Sequence, residues 1–260
     1  MNKTGIPYLD RVWNPCGFGC SKGCSGCWAR RMAARMARKC PDCAGFSVHF
    51  HPERLSKLTP RQKPQTIGVQ FTGELFDSER PVSEILQVLA VMARCHQHTY
   101  VMLTQQPVVM REAMAVWTTC NGLPIPDNWW LGLTIRNPVD AALRLDSFLS
   151  IPQGKLWLSI EPLYSGPIPL PWESDPRMLR VAGVVIGHDN TRPPCDPDLT
   201  ELRALIAAIP RRVCVYVKQL WWVKPNVDVL CRDPRDFPVD LRRRELPWPL
   251  REGAAAKGKP

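Results

Sequence analysis

The feature that most limits the fold of this chain is a repeat of short apolar segments, several of them followed by a helical segment that begins at proline. Continuous apolar segments of this length predict strands that are buried on both faces. Proline is favoured in the first turn of a helix, where its missing N–H is not needed. We predict strands at residues 45–50, 67–72, 99–103, 129–135, 155–160, 181–186 and 213–217, and helices at residues 81–95, 107–117, 138–149 and 197–209.

This alternation is typical of parallel strands joined by right-handed crossover helices. Asn137 and Asp196 are good N-cap residues for the last two predicted helices, and residues 5–13 add a first strand. We therefore predict an α/β fold whose parallel strands form a full or partial TIM-like (β/α) barrel inside outer helices. In such a barrel the functional side chains gather at the C-terminal ends of the strands.

The repeat also indicates how the chain is divided. We expect one barrel domain over residues 1–222 and an irregular C-terminal extension over residues 223–260. Residues 164–176 are too rich in proline for a helix or a central strand, so we predict a loop there. We expect residues 253–260 to be disordered.

Composition excludes several classes of protein. Hydrophobic residues make up 45% of the 260 residues, which is typical of a globular protein. No segment approaches the roughly 20 apolar residues of a membrane span, and the N-terminus lacks the apolar core of a secretory signal. We therefore expect a cytoplasmic protein with no membrane partner. The eleven cysteines then indicate metal ligands and buried thiols rather than disulfides.

Three cysteines lie close together in the glycine-rich segment 13–28, at the C-x3-C-x2-C spacing of Cys20, Cys24 and Cys27. A structural zinc or a complete four-thiolate cluster needs a fourth ligand. A cubane iron–sulfur cluster held by three thiolates instead keeps one iron open. Glycine lets the backbone wrap tightly around such a group, because it accepts positive φ at little cost. We therefore predict that residues 13–28 form a cluster-binding loop.

Short segments accompany the triplet in a fixed order between about Trp13 and Trp222. They are Trp13-Asn14-Pro15, Gly19-Cys20, Gly23-Cys24, Cys27-Trp28-Ala29, His51-Pro52-Glu53-Arg54-Leu55, Gln97-His98-Thr99, Leu103-Thr104, Trp130-Leu131-Gly132, Ser159-Ile160-Glu161-Pro162-Leu163 and Lys218-Gln219. Together with the triplet they resemble a phage-encoded family of radical S-adenosylmethionine enzymes. That family is distantly similar to spore photoproduct lyase.

The resemblance implies a [4Fe–4S] cluster held by Cys20, Cys24 and Cys27, with S-adenosylmethionine as the second cofactor. It implies an external one-electron donor, and a 5′-deoxyadenosyl radical that abstracts hydrogen from an unactivated carbon. The segment Thr72-Gly73-Glu74 resembles the Gly-Gly-Glu motif that binds the methionyl ammonium group in such enzymes. A surface turn is the alternative interpretation of this segment.

Other polar residues follow the predicted strands and are candidates for the remaining contacts to the cofactor. We assign Thr104, Gln105 and Gln106 to the methionyl carboxylate or the ribose. Thr134 and Arg136 follow the next strand, where Arg136 suits a carboxylate or phosphate, and Ser159 follows the one after. Gly187 is a candidate for contact with the adenine. For Asn137 we prefer helix capping to a role in binding.

Three residues are candidates for catalysis on the substrate, namely Glu161, His188 and Lys218. A glutamate at the end of an apolar strand is costly without a partner, so Glu161 is a site candidate. His188, Asp189 and Asn190 follow the next strand, although an exposed loop position is an equal alternative for His188. Lys218 suits a substrate carboxylate or phosphate, or it only pairs with Glu161.

The net charge of +10 favours a polyanionic partner, although a soluble basic surface is the alternative. A helix predicted at residues 28–39 carries an apolar Met32–Met36 stripe. Four arginines surround this stripe and are candidates for contacts with a phosphate backbone, namely Arg30, Arg31, Arg35 and Arg38. For each single arginine, a solvated face is the alternative.

The charge and the resemblance together favour a nucleic acid or a nucleotide as substrate, in a host cytoplasm if the chain is phage-encoded. Our sharpest hypothesis is a radical isomerase in phage DNA hypermodification, which moves a glycyl group on a modified thymidine from a nitrogen link to a carbon link. A lyase that repairs a pyrimidine lesion is the first alternative. The oligomeric state is left open.

Two other cysteines, Cys40 and Cys43, have the C-x2-C spacing of half a zinc site. We find no second pair at a workable spacing and expect two unliganded thiols there. A different class of function is a non-enzymatic zinc-bound nucleic-acid-binding protein, whose ligands would be the triplet plus Cys16 or Cys40. A third class is a degenerate barrel that serves only as a scaffold.

Overall fold

The computed structural model describes residues 1–36, 39–163, 168–189, 199–224 and 227–250, with backbone only at 222–224 and 227–229. Its centre is a nine-stranded sheet in which the strands lie in the order of the chain. Strands β2 to β8 are mutually parallel, and β1 and β9 pair antiparallel at the two edges. The strands are β1 (Asn2–Lys3), β2 (Arg11–Trp13), β3 (Thr66–Val69), β4 (Thr99–Met102), β5 (Trp129–Thr134), β6 (Lys155–Leu163), β7 (Val181–His188), β8 (Cys214–Lys224) and β9 (Val227–Cys231).

Helices connect most of the parallel strands. They are α1 (Trp28–Met36), α2 (Pro41–Gly45), α3 (Val82–Arg94), α4 (Pro107–Asn121), α5 (Pro138–Leu149) and α6 (Thr200–Ala208). Short 3-10 helices cover Pro52–Lys57, Pro176–Arg180, Pro234–Asp236 and Val239–Leu241. The larger apolar core includes strand residues together with the buried faces of α3, α4, α5 and α6.

A second apolar cluster is rich in aromatic side chains that the parallel strands carry. Trp130, Trp157 and Tyr216 come from β5, β6 and β8, and they pack with Tyr8 and Trp248 from outside the strands. Several of these rings meet edge to face, as Tyr8 and Tyr216 do at 5.8 Å between centroids. These bulky rings fill the space beside the sheet with packed side chains.

The sheet does not close into a barrel within the described residues, because the β1–β2 edge is not paired with the β8–β9 edge. A C-terminal segment links the two sides instead. It pairs with β8, where Val217 N–H donates to Arg243 O at 2.9 Å and Glu245 N–H donates to Val215 O at 3.0 Å. Further along, the Trp248 indole N–H donates to Tyr8 O at 3.1 Å. The α/β class is therefore confirmed, and the closed form of the barrel is not.

Most predicted elements are present with shifted ends. The predicted strand at residues 45–50 is wrong, because Phe46 adopts a left-handed conformation (φ 60°) that ends α2. Residues 223–260 are not wholly irregular, since β8 extends to Lys224 and β9 follows. The capping prediction for Asn137 is confirmed, since its side chain accepts from Asp140 N–H.

Some predictions fall outside the described residues, namely those for Arg38, Asn190, Asp196, residues 164–167 of the proline-rich loop and the tail 253–260. Helix α6 begins at Thr200, later than predicted. In the part of the chain that the structure describes, no helix is long and apolar enough to cross a membrane.

Candidate functional site

The loop that carries the cysteine triplet is held against the C-terminal end of β3 by side chains from the segment after that strand. The Gln70 amide accepts from Cys16 N–H at 2.9 Å and donates to Gly17 O at 2.8 Å. The Thr72 hydroxyl also donates to Gly17 O, at 2.6 Å. Since Gln70 is buried, these bonds fix the backbone of Cys16 and Gly17, near the start of the loop.

The middle of the loop pairs with the Thr72-Gly73-Glu74 segment. Glu74 N–H donates to Gly19 O at 3.1 Å, and Gly19 and Gly73 form a parallel bridge. A Cβ atom on Gly73 would lie 2.2 Å from Gly19 O, so only glycine allows this close approach. The Thr72-Gly73-Glu74 segment therefore lies directly beside the cysteine loop, and the surface-turn interpretation of it is wrong.

One large cavity, of about 1020 Å³, lies at the C-terminal ends of the strands. It is lined by fourteen of the sixteen residues that the sequence singles out for metal, cofactor or catalysis, and Gln105 is one of them. The other thirteen are Cys20, Cys24, Cys27, Thr72, Gly73, Glu74, Thr104, Thr134, Arg136, Ser159, Glu161, His188 and Lys218. The predicted positions at successive strand ends are thus brought together in space.

Gly187 and Gln106 lie elsewhere. Gly187 is buried in β7 and does not line the cavity; an added Cβ would meet the Glu161 and Gln219 side chains at 3.4 Å. Gln106 is also away from the cavity lining, and its side chain accepts from Ser78 N–H at 3.2 Å. The assignments of Gly187 to adenine and of Gln106 to the cofactor are therefore not supported by their positions.

The cysteines of the triplet are partly buried and differ in their surroundings. Cys20 Sγ accepts from Lys22 N–H at 3.4 Å. Cys24 Sγ lies 3.6 Å from Gln105 Oε1 and 3.9 Å from Arg136 Nη1. Burial raises the pKa of the Cys20 thiol to about 12, so a metal that binds there has to displace a proton.

Glu74 is a buried residue of the cavity lining, and its carboxylate is hydrogen-bonded to the backbone. One oxygen accepts from Phe76 N–H at 3.0 Å and the other from Gln105 N–H at 2.9 Å. Burial raises the pKa of this carboxyl to about 7, although the two backbone bonds and a bond with Thr104 act to lower it. The anchored carboxylate is a rigid acceptor for a cationic group.

Two arginines and one aspartate lie near Cys24, so this group carries a net charge of +1. Asp140 is bridged by Arg136 at 2.7 Å and by Arg144 at 2.9 Å. The Arg136 guanidinium is therefore partly engaged with Asp140 while it also lines the cavity. Its position suits an anionic ligand or a cluster whose thiolates carry negative charge.

The candidate catalytic residues lie on the three neighbouring strands β6, β7 and β8. Lys218 Nζ forms an ion pair with Glu161 Oε1, and about a fifth of each side chain is exposed. His188 ends β7 and is only 2% exposed, so the exposed-loop alternative is wrong. Its Nδ1 accepts from Trp221 N–H at 3.1 Å, which places the proton of the neutral ring on Nε2.

Helix α1 differs from the predicted amphipathic pattern. Its buried residues are Ala29 and Ala33, which pack against Phe46. Met36 is 68% exposed, and Met32 and Met36 both line the cavity instead of the core. Arg31 and Arg35 are exposed. The helix thus presents arginines and methionines at the edge of the cavity.

Sequence reasoning missed several residues that shape the site. The buried Asp77 binds Ser21 of the loop, and Asn14 Oδ1 accepts from Phe71 N–H at 2.9 Å.

A second group of side chains that could bind a metal follows the cysteine loop in the sequence: Cys40, Cys43, His49 and His51. The expectation that no pair complements Cys40 and Cys43 is therefore wrong. Two histidines spaced H-x-H were the signal that could have revealed it.

The donor set fits the cofactors that the resemblance implies. Three cysteines on one braced loop share a cavity with an anchored carboxylate, an arginine and several hydroxyl groups. Cys40 lies in the second group and does not line the cavity, which argues against it as a fourth ligand of the triplet. Cys16 is fully buried. The chemistry of this set, three thiolates without a fourth, suits a cubane cluster better than a mononuclear zinc.

Comparison with known proteins identifies one family. Residues 3–187 match the sequence model of a family described as "Protein of unknown function (DUF5131)". No curated protein matches the chain, and no solved structure does. The matched range contains the cysteine loop and strands β2 to β6, and it ends one residue before the end of β7.

Proposed function

Because the chain belongs to the family described as "Protein of unknown function (DUF5131)", we propose its function from the site itself. The chain is a radical S-adenosylmethionine enzyme that acts on a nucleic acid or a nucleotide. The observation that carries this proposal is the shared cavity of the cysteine triplet and the anchored Glu74 carboxylate. A scaffold without chemistry has no need of three cysteines and a buried carboxylate around one cavity.

Each part of the cavity has a role in this proposal. Cys20, Cys24 and Cys27 hold a [4Fe–4S] cluster, and Glu74 binds the methionyl ammonium group of S-adenosylmethionine. When bound and reduced by an external donor, the two cofactors supply a 5′-deoxyadenosyl radical that abstracts hydrogen. The surplus positive charge of Arg136 and Arg144 over Asp140 offsets the negative thiolates.

The opposite side of the cavity carries the groups that face the substrate. Glu161 and Lys218 form a pair that orients a polar substrate group by hydrogen bonds. His188 is held by Trp221 N–H with its Nε2 protonated, so it serves as a hydrogen-bond donor of fixed orientation. Thr104, Thr134 and Ser159 add hydroxyl groups between the two sides.

The charge of the chain supports a polyanionic substrate class. The net charge is +10, and exposed Arg31 and Arg35 lie on the helix whose methionines border the cavity. Within this class we propose a radical isomerase that rearranges a glycyl-modified thymidine. A lyase acting on a pyrimidine lesion is the second candidate, since the same surface suits damaged DNA.

The test is anaerobic incubation of the purified protein with reductant, labelled S-adenosylmethionine and candidate DNAs. We expect about four iron and four sulfide per chain, 5′-deoxyadenosine as a product, and altered nucleosides in the mass spectrum of the digested DNA. An isomerised nucleoside of unchanged mass supports the isomerase, and restored pyrimidines support the lyase.

Single variants with Cys20, Cys24 or Cys27 replaced by Ala should lose both the iron and 5′-deoxyadenosine formation. Cys120→Ala is the matched control, because Cys120 is exposed and lies at the end of α4. Retention of wild-type cleavage in any of the three variants would overturn the proposal. So would a protein that holds no iron–sulfur cluster after anaerobic reconstitution.

A further inference from the structure

We propose that Cys40, Cys43, His49 and His51 form a mononuclear Zn²⁺ site that is separate from the cysteine triplet. The four side chains offer two sulfur and two nitrogen atoms, all within 4.8 Å of one another. Two thiolates with two imidazoles are a common ligand set for structural zinc. The site lies outside the cavity of the proposed reaction and rests on different residues.

The distances between the ligand atoms come close to those around one tetrahedral ion. Bonds of about 2.3 Å to sulfur and about 2.0–2.1 Å to nitrogen place the ligands of a tetrahedron roughly 3.3–3.8 Å apart. Cys43 Sγ lies 3.1 Å from His49 Nε2 and 3.3 Å from His51 Nε2. Cys40 Sγ lies 3.9 Å from each of these nitrogens, and the two nitrogens lie 3.0 Å apart. A central ion therefore fits once the two nitrogens and Cys43 Sγ move slightly apart and Cys40 Sγ, which lies within 4.8 Å of the other ligand atoms, moves slightly inward.

The two imidazoles are oriented for metal binding by partners on their other ring nitrogens. His49 Nδ1 lies 2.8 Å from Ser47 O, and His51 Nδ1 lies 2.8 Å from Glu53 Oε1. Both partners are acceptors, so each ring carries its proton on Nδ1 and directs the lone pair of Nε2 at the other ligands. A carbonyl or carboxylate behind a ligating histidine is the usual arrangement at zinc sites.

The sulfur atoms are also supported by backbone donors. Cys43 N–H donates to Cys40 Sγ at 3.4 Å, and Phe18 N–H donates to Cys43 Sγ at 3.5 Å. Hydrogen bonds of this kind favour the thiolate, which is the form that binds a metal.

The geometry argues against an iron–sulfur cluster with the same ligands. A Rieske [2Fe–2S] centre also has two cysteines and two histidines, but they are bound to different irons. Two irons and their bridging sulfides would hold the cysteine pair away from the histidine pair. Here each sulfur is within 3.9 Å of both nitrogens, which leaves room for one ion only.

The proposed zinc site lies next to Pro15 and Gly17, at the start of the cysteine loop. A Cβ on Gly17 would lie 2.6 Å from Cys43 Sγ, and His51 N–H donates to Pro15 O at 3.0 Å. Phe46, between the two ligand pairs, accepts a bond from Cys20 N–H at 3.4 Å and packs on α1. All four ligands follow the triplet in sequence, so the ion would hold together the segment of residues 40–51 that packs against the start of the cysteine loop.

The test is metal analysis of the full chain by plasma mass spectrometry. A variant with Cys20, Cys24 and Cys27 all changed to Ser separates this site from the cluster. We expect about one zinc per chain in both the wild type and the triple variant, and its loss in Cys43→Ser and His51→Ala. Cys120→Ser and His96→Ala are matched controls at exposed positions, and they should keep the zinc.

A second measurement does not depend on the folding of any ligand variant. The triple variant with Cys20, Cys24 and Cys27 changed to Ser, stripped by chelator and loaded with Co²⁺, should show the visible bands of tetrahedral cobalt with thiolate ligands, and Zn²⁺ should abolish them. Absence of these bands, zinc that disappears with the triplet, or zinc that persists in Cys43→Ser and His51→Ala would each overturn the zinc site. The iron content and 5′-deoxyadenosine assays report separately on the proposed enzyme.

Discussion

The carboxylate of Asp77 accepts two hydrogen bonds from Ser21, one from the backbone N–H and one from the hydroxyl, both at 2.8 Å. Asp77 is fully buried, and Ser21 directly follows Cys20 in the cysteine loop. Hydrogen bonds to a charged group are stronger than neutral ones. The segment after β3 therefore fixes the position of the residue next to the first cysteine of the triplet.

We predict that Asp77→Ala loosens the cysteine loop. The loss of charge-assisted bonds should lower the free energy of unfolding by about 1.5–3 kcal/mol in urea denaturation, and reconstituted iron should fall. Glu79→Gln, an exposed change two residues away, is the control and should match the wild type. Full iron content and unchanged stability in Asp77→Ala would show that the loop does not depend on this contact.

Glu74 provides a prediction about the cofactor. Glu74→Gln keeps the shape of the side chain but removes the charge that attracts an ammonium group. We expect affinity for S-adenosylmethionine to fall about ten- to a hundredfold, with the cluster still assembled. Isothermal titration calorimetry of the reconstituted protein measures this, and unchanged affinity would remove Glu74 from the binding site.

The raised pKa of Glu74 predicts that, as pH rises, the stability of the protein falls while its affinity for S-adenosylmethionine rises. Burial raises this pKa from 4.5 to about 7, so the folded protein holds the proton more tightly than the unfolded chain. The stability that this group contributes is therefore complete below about pH 4.5 and is lost as pH rises through about 7.

At about 1.36 kcal/mol per pKa unit, the metal-free wild type should lose about 3 kcal/mol of unfolding free energy across this window, relative to Glu74→Gln. Affinity for S-adenosylmethionine should instead rise with pH through about 7, because binding needs the ionised carboxylate. Parallel pH profiles of the wild type and Glu74→Gln would contradict the assignment of the raised pKa to Glu74.

The strands were predictable because parallel strands covered on both faces are nearly continuous apolar segments. Closure of the sheet was not predictable from these segments, since it depends on contacts such as Trp248 with Tyr8, which are far apart in sequence. The strand predicted at residues 45–50 fails for a local reason. The alternating pattern of Phe46, Val48 and Phe50 is typical of a strand, but Phe46 caps α2 and packs against Ala33 instead.

The candidate site was predictable where a side chain lies at or soon after the end of a strand, as His188 does at the end of β7 and Glu74 does shortly after β3. The supporting contacts were not, because Gln70 and Asp77 bind the loop more than fifty positions earlier in the chain. The Cys/His group was missed because no second pair was recognised beside Cys40 and Cys43, although His49 and His51 follow closely in the sequence. Histidines serve equally well as zinc ligands.

The ion pair of Glu161 and Lys218 predicts coupled effects. Lys218→Met leaves the Glu161 carboxylate without its partner in a partly buried position, and Glu161→Gln leaves the ammonium alone. A double-mutant cycle by urea denaturation should give a coupling energy of about 0.5–3 kcal/mol. Both single variants should still form 5′-deoxyadenosine but lose substrate turnover. Normal turnover in either variant would show that the pair has only a structural role.

The basic helix α1 predicts how binding to DNA depends on salt. Each phosphate contact releases counterions, so the log–log slope of affinity against salt should be about −0.9 per contact on duplex DNA. Changing Arg31 and Arg35 together to Gln should flatten this slope and weaken binding, because both side chains are exposed near the cavity. Arg30 is left unchanged, since its guanidinium lies over the Phe46 ring at 5.2 Å.

The matched control for this experiment is Arg61→Gln with Lys63→Gln, which removes the same charge from exposed positions before the N-terminal end of β3. This double variant should keep the wild-type slope, apart from a small uniform effect of net charge. A salt titration by fluorescence anisotropy with labelled duplex compares the three proteins, and the iron content confirms that the cluster is intact. Equal slopes for the two double variants would assign the effect to net charge alone. A flat wild-type curve would exclude polymeric DNA and leave a free nucleotide as the substrate, because a small ligand contacts too few phosphates to give a steep dependence on salt.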